Sequence, residues 1–402
     1  MSYNLKYLKY KQKYLNLKYF LEQNGGIPSL VQLVAEQIPL DSIEDIIEYI
    51  EDTKIKGNII EQPIHDIIKY KNLSFKNIDQ VEYFIYNKID FVTLKFDDDF
   101  NQPIELISGL IYLQTLEFGN RFDQKLDSLA NLTNLTTLEF GNNFDYMAPS
   151  HLINLDINPL AHLTKLTTLK LGHNFDQKLD PLANLTNLTT LEFGYKFGDS
   201  FGQNINSLSN LTNLTTLKFG NKFNLNIDSL AKLTNLTTLK FGKRFNQPIE
   251  SLANLTKLQT LEFGRNFGYS RRYIINTIIT FFIWPLAELT NLQTLKFGHF
   301  FNQSIEPLAK LINLTTLEFG DYFNQVLDPL SNLTNLTTLR FGDDFNFPLE
   351  PLSNLTKLEI LKFGKKFNQS LKPILDLPKL KTLQYNPSIM RLTREHIDHI
   401  RK

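Results

Sequence analysis

Apolar residues recur along most of this 402-residue chain with a period of 22 residues. A phenylalanine in or near the phrase F-N-Q marks each repeat, and eight of the eleven intervals between these marker phenylalanines are 22 residues long. The other three intervals are 31, 26 and 34 residues, which are 22 plus insertions of 9, 4 and 12. A fixed period interrupted only by local insertions is typical of repeat proteins. The markers are Phe100, Phe122, Phe144, Phe175, Phe197, Phe223, Phe245, Phe267, Phe301, Phe323, Phe345 and Phe367.

The spacing of apolar residues changes within one repeat. Between Leu126 and Leu138 they fall at steps of three, and from Leu138 to Phe140 the step is two. Steps of three predict a turn-like or short helical segment, and the step of two predicts a strand with one buried face. The strand phrase occurs in thirteen versions between residues 93 and 385. We therefore predict a repeat solenoid with a parallel sheet of about thirteen short strands on one side.

This repeat resembles two known repeat families. Residues 179–194, L-D-P-L-A-N-L-T-N-L-T-T-L-E-F-G, resemble the short class of leucine-rich repeats. The full unit, with F-N-Q following the strand and its glycine, is similar to the FNIP repeat of giant-virus (mimivirus-like) and social-amoeba proteins. The opening K-Y-L-K-Y-K-Q-K-Y-L-N-L-K at residues 6–18 is similar to N-termini common among giant-virus proteins. The repeat resemblance covers residues 91–386 and implies a leucine-rich-repeat-like solenoid.

Comparison between copies of the repeat predicts two backbone features. A glycine follows the strand in eleven units, which indicates either positive φ or a close approach to the next coil. The residue after the marker phenylalanine is Asn in seven units, Asp in three and Gly in two, all types that suit a turn. We predict a structural ladder of stacked amides at this turn, with ligand binding as the alternative role. The ladder residues are Asn224, Asn246, Asn302, Asn324, Asn346 and Asn368.

The exposed strand positions are uniform, whereas the insertions are not. Charges alternate in sign in eight of eleven neighbouring strand pairs beside a row of threonines, which favours sheet formation and could also serve as a binding face. The longest insertion lies within residues 268–284 and concentrates aromatic and arginine side chains. We predict that its apolar half folds back over the neighbouring coils, and the alternative is a partner-binding element. Its candidate residues are Arg271, Arg272, Tyr273, Phe281, Phe282 and Trp284.

The two ends of the chain do not follow the 22-residue period, and we predict separate segments there. Residues 1–26 predict a basic amphipathic helix with a Gly-Gly hinge, and residues 387–402 predict a C-terminal cap helix. Residues 27–90 predict a small α-helical N-terminal cap on the solenoid of residues 91–386. Residues 38–50 within this cap resemble the opening helix of an F-box, although the usual downstream Trp is absent. That resemblance implies a substrate adaptor with ubiquitin-ligase subunits as partners.

Composition narrows the classes of partner and location. The 42 basic and 42 acidic residues balance, so no nucleic-acid partner is expected. The chain has no cysteine, which excludes disulfides and cysteine-based zinc sites. No apolar run approaches the roughly 18 residues of a membrane span. The basic N-terminus lacks the apolar segment of a secretory signal, so we expect an intracellular protein, placed in the host cytoplasm by the viral resemblance.

Candidate catalytic chemistry is sparse. The seven histidines are scattered, and His396 with His399 is a weak metal signal that a solvated helix face explains better. The sequence contains no nucleophile elbow, metalloprotease signature or phosphate loop. We therefore predict no catalytic residue, no metal and no cofactor. The predicted function is a non-catalytic protein–protein interaction scaffold; the alternatives are the F-box-type adaptor and, second, an enzyme, which a cleft with converging polar groups would expose.

Overall fold

The computed structural model describes residues 46–47, 74–86, 91–141, 156–199, 202–269 and 283–385. The predicted basic helix of residues 1–26 and the predicted cap of residues 387–402 lie outside the described residues. So does most of the predicted cap of residues 27–90. Its described part includes the α-helix α1 (Ile78–Tyr86), which buries Val81 and Phe84.

The chain divides into two compact units, residues 1–166 and 167–402. Each described coil consists of a three-residue strand, a turn and a short 3-10 helix, which matches the predicted change in apolar spacing. In the first unit the strands are β1 (Thr93–Lys95), β2 (Thr115–Glu117) and β3 (Thr137–Glu139), and the 3-10 helices are Glu105–Gly109, Asp127–Asn131 and Asn158–His162.

The second unit continues the same pattern over ten strands. Its strands are β4 (Thr168–Lys170), β5 (Thr190–Glu192), β6 (Thr216–Lys218), β7 (Thr238–Lys240), β8 (Thr260–Glu262), β9 (Thr294–Lys296), β10 (Thr316–Glu318), β11 (Thr338–Arg340), β12 (Ile360–Lys362) and β13 (Thr382–Gln384). Its 3-10 helices are Asp180–Leu182, Asn206–Asn210, Asp228–Lys232, Glu250–Asn254, Trp284–Glu288, Glu306–Lys310, Asp328–Leu330, Glu350–Leu352 and Lys372–Ile374.

Strand pairing is parallel and keeps equivalent residues of the repeat side by side. Thr316 pairs with Thr294 on one side and with Thr338 on the other. The same register holds across the 34-residue interval, where Thr260 pairs with Thr294. The insertion therefore leaves the strand register unchanged. The predicted leucine-rich-repeat-like solenoid with about thirteen short parallel strands is confirmed.

Leucine and phenylalanine columns form the core of each unit. In the coil of β10, Leu308, Leu311, Leu314 and Leu317 have no exposed surface. The strand-end phenylalanine stacks on the marker phenylalanine of its own coil, and both stack on their equivalents in the next coil. Phe319, for example, has ring-centroid separations of 3.8 Å to its marker phenylalanine and 5.6 Å to the strand-end ring of the following coil. These columns connect successive coils through aromatic contacts as well as through strand pairing.

The post-strand glycines are required by a close approach between coils. A Cβ atom placed on Gly320 would lie 2.0 Å from the backbone oxygen of Gly298 in the preceding coil. This decides between the two explanations that the sequence left open, because the same glycine does not have a left-handed φ. Positive φ occurs instead directly after two marker phenylalanines, at Gly198 (φ +87°) and Gly268 (φ +81°).

Candidate interaction surfaces

The asparagines after the marker phenylalanines connect successive coils. The backbone N–H of Asn246 donates to Oδ1 of Asn224 at 2.8 Å, and Oδ1 of Asn246 accepts from the N–H of Gly268 at 2.9 Å. Asn302, Asn324 and Asn346 each accept in the same way from the next coil, at 2.9 to 3.0 Å. Each amide oxygen thus satisfies a turn N–H that strand pairing does not reach. The Oδ1 atoms of these side chains accept hydrogen bonds from adjacent coils, which leaves these atoms little capacity to bind a ligand.

A second asparagine ladder was missed by the sequence analysis. The Asn of the phrase L-x-N-L donates Nδ2 to a backbone oxygen of the preceding coil, as in Asn313 to Thr290 at 2.8 Å. The equivalent donors are Asn134, Asn213, Asn235, Asn291 and Asn335. Its signal in the sequence is the regular recurrence of this Asn at one position of the repeat. A shallow groove of about 590 Å³ runs along this edge, and its lining includes Asn313 and Asn335.

The strand face carries the predicted alternating charges, and they form ion pairs across neighbouring strands. Lys218 Nζ lies 2.7 Å from Glu192 Oε1, and Lys240 Nζ lies 3.1 Å from Glu262 Oε1. Lys296 lies between two carboxylates, 3.8 Å from Glu262 and 3.7 Å from that of Glu318. Such half-exposed cross-strand pairs stabilise a sheet by about 0.2–1 kcal/mol each. Because neighbouring charges neutralise one another, this face presents little that would select a partner.

Five of the six candidate residues in the long insertion lie outside the described residues: Arg271, Arg272, Tyr273, Phe281 and Phe282. The sixth, Trp284, begins the 3-10 helix Trp284–Glu288 and is 55% exposed. In the preceding and following coils the same position is occupied by Glu250 and Glu306. A pocket of about 400 Å³ lies beside the indole, lined by Ile283, Asn302, Gln303, Ser304, Glu306 and Pro307. The exposed Trp284 indole therefore occupies the first position of the 3-10 helix, where most other coils have an acidic or amide side chain.

An aromatic cluster that the sequence analysis did not single out lies on the edge that follows the strands. We call Tyr269, His299, Phe300 and Tyr322 the aromatic patch. Ring centroids are 4.7 Å apart between Tyr269 and Phe300, and 5.1 Å apart between Phe300 and Tyr322. The guanidinium carbon of Arg265 lies 5.4 Å from the Phe300 ring centroid, within the range of a cation–π interaction. Tyr269 and Tyr322 are 42% and 48% exposed.

Charged residues lie on both sides of this patch along the same edge. The basic run consists of Lys196, Lys222, Lys243, Arg244 and Arg265, in the four coils that precede Phe300. In the coils that follow the patch, Asp343 pairs with Lys365 at 2.6 Å and Asp344 with Lys366 at 2.8 Å.

The hydrogen bond from Lys365 lowers the pKa of Asp343 below its usual value and raises the pKa of Lys365 itself. The hydrogen bond to Asp344 likewise raises the pKa of Lys366. Within each pair the positive and negative charges cancel, so the edge after the patch carries little net charge.

Within the described ranges, no group of three or more His, Asp or Glu side chains is placed to hold a metal ion. The described part of the chain also contains no helix that is both long and apolar enough to cross a membrane. The aromatic patch and the basic run place exposed apolar surface beside positive charge on the framework of stacked coils.

The coil geometry has counterparts among solved structures. An internalin from Listeria monocytogenes is similar over 77% of this chain and 84% of its own, with 24% identity and a TM-score of 0.60. The fold is that of a leucine-rich-repeat solenoid. A circular leucine-rich-repeat protein, CroV588, matches 73% of this chain and 50% of its own, with 26% identity and a TM-score of 0.41. No protein-family model matches the chain, and no curated protein does.

Proposed function

We propose that this chain is a non-catalytic protein–protein interaction scaffold that binds its partner through the edge bearing the long insertion. The observation that carries the proposal is Trp284. Its indole is 55% exposed at a position where both neighbouring coils have a glutamate, and it lies beside a pocket of about 400 Å³. Tryptophan is enriched among the residues that dominate binding energy at protein interfaces, particularly where it fills or borders a pocket.

The uniformity of the other surfaces supports this assignment. The asparagines of both ladders and the strand-face charges bind groups of adjacent coils, so they contribute to the stack rather than to recognition. A partner selected by such a surface would find nearly the same contacts at every coil. Specific binding therefore favours the edge at which the repeat is interrupted.

The proposal is tested by comparing affinity capture with the wild type and with Trp284→Glu. This variant gives the position the residue that its neighbours have, so the solenoid should remain folded. Ile312→Ala is the matched control, because Ile312 is also 55% exposed. We expect a partner that is captured by the wild type and the control and lost with Trp284→Glu. Equal capture by all three proteins would contradict binding at this edge.

Two finer proposals rest on sequence resemblance. The 22-residue unit with F-N-Q supports assignment to FNIP-repeat proteins of giant viruses or social amoebae. The F-box interpretation depends on residues 38–50, of which the structure describes Ile46, which is buried, and Ile47. An adaptor would capture ubiquitin-ligase subunits with the full chain and not after removal of residues 1–90. Capture that does not depend on residues 1–90 would contradict the adaptor and leave the scaffold.

A further inference from the structure

We propose that the aromatic patch and the basic run together bind an acidic peptide segment that carries an aromatic or large aliphatic side chain. This inference goes beyond the proposed function and gives the chemistry of a partner for a different edge. It concerns the edge that follows the strands, whereas the proposed function was argued from Trp284.

The aromatic patch is an exposed apolar surface on a fixed framework. Phe300 and Tyr322 occupy the position of the repeat that carries Lys222, Arg244 and Asp344 in other coils. The backbone N–H of Phe300 donates to the oxygen of Arg265 at 3.1 Å, and that of Tyr322 donates to His299 at 3.0 Å. Because these bonds hold the rings in register, binding would order few additional side chains, which reduces its entropic cost.

Charge complementarity decides the character of the partner. Four cations of the basic run, Lys222, Lys243, Arg244 and Arg265, lie in the three coils that precede Phe300. Among the described residues, Asp199 lies 3.2 Å from Lys222 and 2.8 Å from Arg244, and Asp321 pairs with His299 of the patch. Two carboxylates against these four cations leave a local excess of positive charge. On the other side of the patch, the aspartates are paired with Lys365 and Lys366. An acidic segment would therefore be attracted toward the basic run while its apolar side chain contacts the patch.

The ring geometry favours a peptide over a single-stranded nucleic acid, which would also suit aromatic and basic residues. Nucleic-acid bases stack on open, sequential aromatic faces. Here the planes of Tyr269 and Phe300 are tilted by 47°, and those of Phe300 and Tyr322 by 50°. The rings contact one another and form one continuous apolar surface instead of separate parallel platforms. Such a surface suits the side chain of a peptide.

The test uses a random peptide library displayed on phage and selected against the full chain. The most enriched peptide is then labelled, and its affinity is measured by fluorescence anisotropy for the wild type and for three variants. Phe300→Lys places at this position the residue that Lys222 provides in another coil, so it should remain folded. Arg265→Gln removes the cation that contacts the ring. Tyr112→Ala is the control, because Tyr112 is 61% exposed and lies in the other unit.

We expect enriched peptides that combine Asp or Glu with an aromatic or large aliphatic residue. Phe300→Lys should weaken binding by about tenfold or more, as for a residue central to an interface. Arg265→Gln should weaken it less and reduce its dependence on salt. Tyr112→Ala should leave it unchanged.

Several results would overturn the inference: no enrichment, enrichment of basic peptides, or an affinity that Phe300→Lys does not change. Binding of an oligo-dT strand that is lost with Phe300→Lys would instead assign the edge to nucleic acid. If enriched peptides depend on Trp284 and not on Phe300, this inference fails and the proposed function stands. Failure of the proposed function is recognised separately, by affinity capture that does not change with Trp284→Glu.

Discussion

Replacing Gly320 with alanine is the perturbation that tests the stacking of coils most locally. The added Cβ would lie 2.0 Å from the backbone oxygen of Gly298 and 2.5 Å from the Cα atom of His299. Non-bonded carbon atoms have their optimal contact at about 3.5–4.0 Å, so adjacent coils would have to separate by more than about 1 Å. A shift of that size would stretch the 3.0 Å hydrogen bond from Tyr322 to His299 beyond hydrogen-bonding distance.

The magnitude follows from the nature of the clash. Overpacking of flexible side chains costs about 1–3 kcal/mol, and here the contacting atoms are backbone on both sides. The entropy that alanine removes from the unfolded chain offsets only about 0.4–1 kcal/mol. We therefore expect Gly320→Ala to lower the free energy of unfolding by about 2–3 kcal/mol. Gly109→Ala, whose Cβ would meet no atom within 4 Å, should change it by less than about 0.5 kcal/mol.

Guanidinium chloride unfolding followed by far-ultraviolet circular dichroism measures both variants. The shift of the midpoint at constant slope gives the change in stability. If Gly320→Ala is as stable as Gly109→Ala, the coils do not approach as closely as described, and the explanation for the eleven glycines fails.

Two further substitutions test the columns between coils. Phe319→Ala should destabilise by about 3–5 kcal/mol in the same assay, because the buried ring stacks on Phe323 and on rings of both adjacent coils. A loss of less than about 1 kcal/mol in the free energy of unfolding would show that the stacking of coils does not depend on this ring. Asn324→Ala should cost about 1–2 kcal/mol, because the N–H of Asn346 loses its acceptor. Asn324→Asp, which keeps that acceptor, should cost less, and equal losses would contradict the ladder.

Periodicity made most of the fold predictable from the sequence. The strand pattern Thr-Leu-charge recurs in most repeats. Equivalent residues of neighbouring strands therefore pair with one another, as Thr316 does with Thr294 and Thr338. The apolar steps of three predicted a short helical segment, and the structure has 3-10 helices there, a geometry with three residues per turn. The resemblance to leucine-rich repeats predicted the same architecture.

The sequence was less informative at positions where one coil carries a different type of side chain from the equivalent positions of other coils. Phe300 and Tyr322 are 22 residues apart, yet Phe300 is adjacent to the marker Phe301, which drew attention to the core residue instead. That these two rings contact each other and Tyr269 becomes visible only when coils are aligned in space. The glycines left two explanations open, because a sequence does not distinguish a backbone angle from a close contact.

In the proposed function, binding uses the edge where the repeat is interrupted, and the regular coils serve as the framework. Deleting the twelve residues Tyr269–Thr280 restores the 22-residue interval between the flanking markers. The direct measurement is the unfolding midpoint of this variant together with its affinity for the captured partner. Ile312→Ala, at a side chain as exposed as Trp284, is the control.

We predict that deleting Tyr269–Thr280 preserves the unfolding midpoint and weakens partner binding by about tenfold or more, whereas Ile312→Ala leaves the partner bound. An unfolded variant would show that the insertion belongs to the core. Unchanged binding in a folded variant would contradict the claim and assign the partner to the face of threonines and alternating charges.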